Sequence, residues 1–225
     1  MNKSGPHSNT KVCSVILQSE NTRFFGALVI SISSCLFALN AHLVSARLLN
    51  YAPLNDATKE FIGRVSLLSS LLAGVAFFGW VWIFSLCIFM ICSVILEKPP
   101  RGSYIDFWGL FSIAQFPCLL GLLFMWVMIM SFSEDAFYFQ VSESRMTQGL
   151  SEAIQNQIQN LRFFRITRAV NTTMYFLSVC GDVWCTRYFF RLSFVQASVI
   201  VCAVLLIYKL LSLLLPEFKL LWWQI

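Results

Sequence analysis

Charge is what this sequence has least of. Only 12% of its 225 residues are Asp, Glu, Lys or Arg, while 58% are hydrophobic and 22 are Phe. An ordinary globular domain is about 25% charged and roughly 45–50% apolar. A water-soluble fold of this length needs charged groups over its whole surface, so the shortage excludes that class and leaves lipid as the fitting solvent. Histidine is nearly missing too, with only His7 and His42, far apart. The eight cysteines form no C-x-x-C pair and lie mostly inside apolar runs. Metal ligation therefore has nothing to build on, no disulfide framework is implied, and these thiols read as small apolar residues of buried helices.

Catalytic signatures are absent as well. There is no H-E-x-x-H, no G-x-S-x-G, no Walker loop and no dinucleotide fingerprint. Glu134-Asp135 is an adjacent acidic pair, but neighbours on a helix point in different directions, so it reads as a solvated helix end. The expectation is a protein that is not an enzyme, with no catalytic residue, no cofactor and no metal. The net charge of +5 comes from 16 basic against 11 acidic residues. The basic ones lie in short stretches between apolar runs, where they meet lipid headgroups and leave no basic face for nucleic acid. The partners expected are the lipid bilayer and other membrane proteins or a second copy of the chain.

What the sequence does have is long apolar runs. A membrane helix needs about 20 consecutive apolar residues. Residues 1–24 form a polar tail, and the run after it is too long for the core of a signal peptide, so it reads as a retained span over 25–46. The second span, 65–96, is uncharged for 32 residues. That is about 48 Å of helix, so it must tilt or protrude from a ~30 Å core. Ser70 and Gly74 within it have the small-x-x-x-small spacing that lets helices approach closely. Glu97 to Gly102, with Pro99-Pro100, stops the helix, and a third span follows over 107–132 with a kink expected at Pro117.

Between spans three and four lies the one sizeable polar stretch, 133–168. Leu150, Ile154, Ile158 and Leu161 recur at helical spacing there, which predicts an amphipathic helix on the membrane or against the bundle, the alternative being a solvated linker helix. The fourth span, 169–190, is interrupted by Gly181-Asp182 and by Arg187. It reads either as a helix hidden in the bundle or as a re-entrant segment, and Asp182 with Arg187 is the candidate intramembrane polar site. The fifth span, 192–215, holds Lys209, which snorkels outward, and the tail 216–225 carries Trp222-Trp223 as an interfacial anchor. Asn171-Thr172-Thr173 matches a glycosylation sequon. Orientation stays open: five spans put seven basic residues on the side of the N-terminus and nine on the other. The fold class expected is all-α, a polytopic transmembrane bundle of five spans plus the amphipathic helix.

This order of elements resembles the Yip family (Ypt-interacting proteins), and its short prokaryotic members in particular. The likeness rests on the turn Ile95 to Tyr104 and the aromatic re-entry Phe107 to Leu120 with Pro117, on the amphipathic stretch, and on Asp182-Val183-Trp184 leading to Leu192-Ser193 and Ala197. It covers roughly residues 25–215. The resemblance implies a multi-pass membrane protein, for the short prokaryotic members one of a bacterial cytoplasmic membrane without an assigned activity. The function expected is a non-enzymatic membrane organiser or adaptor acting through helix contacts, on the strength of the Ser70–Gly74 face and the lack of a reactive cluster. Eukaryotic members carry a long cytosolic N-terminal region tied to Rab GTPases, whereas about two dozen residues precede the first span here, so a Rab-binding role does not carry over. The other function considered is a small transporter or permease subunit with a polar path at Asp182.

Overall fold

The structure, a computed structural model, describes residues 19–51, 56–132 and 161–214, and every regular element among them is helical. We number the helices α1 (Ser19–Tyr51), α2 (Asp56–Met90), α3 (Tyr104–Ala114), α4 (Phe116–Ser131), α5 (Arg162–Phe190) and α6 (Phe194–Leu214). A π-helical turn, Ile91–Ile95, prolongs α2. Leu96 caps it, and the chain turns away at Glu97, whose φ of 49° leaves the helical region. Three helical rods, Glu20–Asn50, Asp56–Ile95 and Tyr104–Ser131, are long and apolar enough to cross a membrane, and Phe194–Leu210 is a shorter apolar helix. The predicted amphipathic helix lies outside the described residues except for Leu161, whose extended backbone caps α5. Glu134-Asp135 and the tryptophan anchor also fall outside them.

The α3–α4 rod lies between α1 and α5, α2 packs on α1 and α3, and α6 packs on α5 and α2. At one end of the bundle, the near end, Arg23 Nε donates to Asp106 Oδ1 at 2.8 Å and the Arg101 amide donates to the Phe189 carbonyl at 3.1 Å. At the far end, Arg47 Nη1 donates to the Phe132 carbonyl at 2.9 Å, and Phe163 packs edge-on against the Phe132 ring. Helix α5 therefore runs the full height of the bundle, opposite in direction to α1 and α4. Its helix is unbroken through Gly181-Asp182 and starts seven residues earlier than expected, so segment 169–190 is no re-entrant loop. Gly181 is part of the reason: a Cβ there would stand 3.0 Å from that of Ala114, and its lack lets α5 lie directly on α3.

The interior is aromatic. Phe84, Phe107, Phe111, Phe189 and Phe190 are all buried, and Phe107 sits 5.2 Å from Phe189 and 5.5 Å from Phe190, centroid to centroid. In lipid the hydrophobic effect does not hold helices together; close packing and interhelical hydrogen bonds do. Such bonds recur here. Asn40 of α1 donates to the Leu122 carbonyl of α4 at 2.8 Å, and the Tyr104 hydroxyl donates to the Trp82 carbonyl at 2.9 Å. Close packing is served by Ser70 and Gly74, both buried in the α1–α2 contact region. A Cβ on Gly74 would stand 2.7 Å from the Ser34 carbonyl oxygen, so this small-residue face is used inside the chain rather than turned outward.

Two caps start the helices of the near end. Ser103 and Asp106 form a reciprocal capping box on α3. Ser193 and Gln196 exchange bonds of 3.1 and 3.2 Å at the start of α6 in the same way. The kink expected near Pro117 takes the form of a break in the rod. The rod breaks two residues earlier, at Gln115, and Pro117 falls in the first turn of α4. The reason is that proline lacks an N–H and crowds the carbonyl four residues back, so the helix resets before it, where the missing donor costs nothing.

Candidate functional site

The break at Gln115 builds the one buried acidic site among the described residues. With the backbone turned there, Gln115 Nε2 reaches Asp182 Oδ1 of α5 at 2.8 Å. Asp182 is 3% exposed and its carbonyl accepts from Thr186 Oγ1 at 2.7 Å. Beside them Cys118 Sγ and Ser178 Oγ lie 3.1 Å apart, and Cys185 Sγ points to the Leu110 carbonyl at 3.5 Å. Gln115, Cys118, Tyr175, Ser178 and Asp182 share the walls of a cavity with Trp80 and other apolar side chains of α2, α3, α5 and α6. Its volume is about 20 Å³. That is room for about one water, and the polar wall supplies the partners such a water needs.

Chemically this is a carboxyl group held by an amide, with a thiol and a hydroxyl near it. Among the described residues no Lys or Arg forms an ion pair with Asp182, and no group of His, Cys, Asp and Glu is arranged to hold a metal ion. A nucleophile activated for covalent chemistry needs a base within hydrogen-bond reach. Cys118 has Ser178 in that position, which is not a base.

The structure does not bring Asp182 and Arg187 together. Five residues on a regular helix turn the direction by about 140°, so the two project from nearly opposite faces. Asp182 is buried while Arg187 is exposed. Arg187 instead lines an open pocket at the near end with Arg101, Arg191, Trp184, Tyr188 and Leu192. Sequence reasoning missed Gln115, although a polar residue two positions before a proline in an apolar run was a signal for it. Asn171 of the sequon lies inside α5 rather than in a loop, with its Oδ1 3.2 Å from where a Cβ on Gly121 would stand. No family model, no curated protein and no solved structure matches this chain.

Proposed function

We propose that this chain crosses the bilayer five times and acts as a membrane organiser or adaptor of the Yip type, through helix contacts rather than through a reaction. The observation that supports it best is the division between inside and outside. The interior is closed by aromatic rings, and its acidic cavity admits about one water, too little for a solute path. The outward faces are apolar: Leu68, Leu72 and Val75 on α2 and Val195, Val199 and Leu206 on α6 are each 60–70% exposed. Lipid or another apolar helix covers such a surface. The opposite directions of α1 and α5 between the two ends of the bundle, with α5 carrying its acid inside, support this count. Since Ser70 and Gly74 are spent on α1, contacts with other chains fall to these outer faces.

Two experiments test the reading. Reporter fusions or cysteine accessibility should place the two ends of the chain on opposite sides of the membrane; placement on one side removes the five-span arrangement. The full chain, crosslinked in membranes and purified in mild detergent, should carry a second copy or another membrane protein. A monomer with no partner counts against the organiser role. The burial of a carboxyl in mid-bundle favours one other reading, a transporter that opens around Asp182. Under it Asp182→Asn abolishes a transport-linked phenotype, and under the organiser reading it does not.

A further inference from the structure

The pocket at the near end collects positive charge that nothing in the described structure answers. Arg101 comes from the α2–α3 loop, Arg187 from the last turn of α5, and Arg191 from the link to α6. The α2–α3 loop and the end of α5 thus deliver three guanidinium groups to one pocket of about 410 Å³, a volume typical of small-molecule sites. No acidic residue lines it. Asp106, an acid of the same end, is already taken by Arg23 and by Ser103. Among the described residues none of the three arginines forms an ion pair.

The wall is built as well. Trp184 and Tyr188 stack with centroids 5.6 Å apart, and the Arg101 guanidinium carbon stands 4.3 Å over the Tyr188 ring. The Arg101 amide, bonded to the Phe189 carbonyl, fixes that loop on the end of α5. Arg191 caps α5 with φ 54° and ψ 38°, a left-handed conformation in which glycine is the usual occupant. An arginine there keeps the backbone cost and adds a charge to the pocket. The pocket also stands at the helix ends. Trp184 is half exposed, and Phe194 and Val195 begin the outward apolar face of α6 just beyond Arg191.

We propose that Arg101, Arg187 and Arg191 form a binding site for a phosphate group, supplied by the headgroup of an anionic lipid whose chains lie along the apolar surface below. Forked guanidinium groups match phosphate oxygens in geometry and charge, and aromatic side chains mark the headgroup level. The proposal rests on placement of the chain in a bilayer and not on the organiser role.

The test is native mass spectrometry of the full chain in mild detergent, titrated with phosphatidylglycerol, with phosphatidylcholine and, separately, with inorganic phosphate. Phosphatidylglycerol should be retained and phosphatidylcholine should not. Each arginine changed to Gln should weaken retention by about fivefold, and the triple variant by roughly a hundredfold. Arg64→Gln, an exposed side chain paired with Glu60 on α2, should leave it unchanged. Arg187→Lys should keep part of the affinity, since the charge stays and the fork is lost. If the triple variant fails to elute as a folded protein, the single Arg187→Gln variant carries the same comparison. Equal retention by wild type and variants overturns the site, as does an equal loss in Arg64→Gln. Binding of inorganic phosphate without discrimination between the two lipids overturns the lipid source. A chain that stays soluble without detergent overturns the bilayer placement instead, whichever lipid it holds.

Discussion

Helix α5 carries two polar regions less than three turns apart, and they are opposites. Around Asp182 the polar groups are buried, Asp182 held by Gln115 and Ser178 by Cys118 across helices, and the space left admits about one water. Around Arg187 and Arg191 they are open, basic and without an acid. In a chain this poor in charge the acid and the bases would be expected to seek each other. They do not, because helix geometry sends them to different faces and because Gln115 offers the acid a neutral donor. The acid region belongs to the internal packing of the chain. The basic region is left over from it, and a leftover charge in a membrane protein calls for an explanation outside the fold.

The largest effect that would sharpen this contrast is Asp182→Lys. An ammonium group would enter a closed cavity with no acid to meet it, at a cost of several kcal/mol. The variant is expected to lose its monodisperse elution in detergent. A variant that elutes and melts like wild type would show that the cavity opens to water, and the contrast between closed and open regions would fail.

Next in size is Gln115→Leu, which leaves the carboxyl without its side-chain donor. Stranding a buried polar group costs about 1–3 kcal/mol. A clear fall in the melting temperature in detergent is expected, with Asp182→Asn causing a smaller one because an amide can still meet Gln115. Equal falls for the two would mean that the Gln115 bond is not what holds the acid.

Much of this fold was legible in the sequence, for a simple physical reason. A bilayer demands long uncharged runs, and such runs cannot hide, so 25–46 lies within α1, 65–96 follows α2 and its π-turn as far as Ile95, and 107–132 is helical except at Gln115 and Phe132. What escaped was where those runs touch. Gln115 looked like one polar residue in an apolar stretch, and only the reset of the helix before Pro117 aims it at α5. Ser70 and Gly74 were visible as a packing face, but the sequence holds nothing that says whether α1 or a second chain fills it. The three arginines were countable from the start. Their meeting depends on the α2–α3 loop docking on the end of α5, a contact between residues nearly ninety positions apart. The boxes Ser103 to Asp106 and Ser193 to Gln196 were local enough to be read and would have placed the starts of α3 and α6.

A smaller effect, of opposite sign, is expected from Arg191→Gly. A left-handed residue with a side chain carries a cost of about 1 kcal/mol that glycine avoids. The variant should therefore melt slightly higher while retaining anionic lipid about fivefold less well. A variant that melts lower would show that the arginine supports the fold, and the pocket would lose its character as a feature kept at the expense of stability.

The smallest effect on stability tests the other half of the contrast. Arg187 is exposed, and among the described residues its side chain has neither an ion pair nor a hydrogen bond. Substitutions at such positions change stability by no more than about 0.5 kcal/mol, so Arg187→Gln should melt with wild type in detergent that contains no anionic lipid. Adding phosphatidylglycerol should then separate them. A ligand that binds only the folded state raises its stability with concentration, so the melting temperature of wild type should climb and that of the variant should lag behind. If the two curves stay together at every lipid concentration, Arg187 contributes to neither fold nor ligand, and the open region of α5 is ordinary solvated surface.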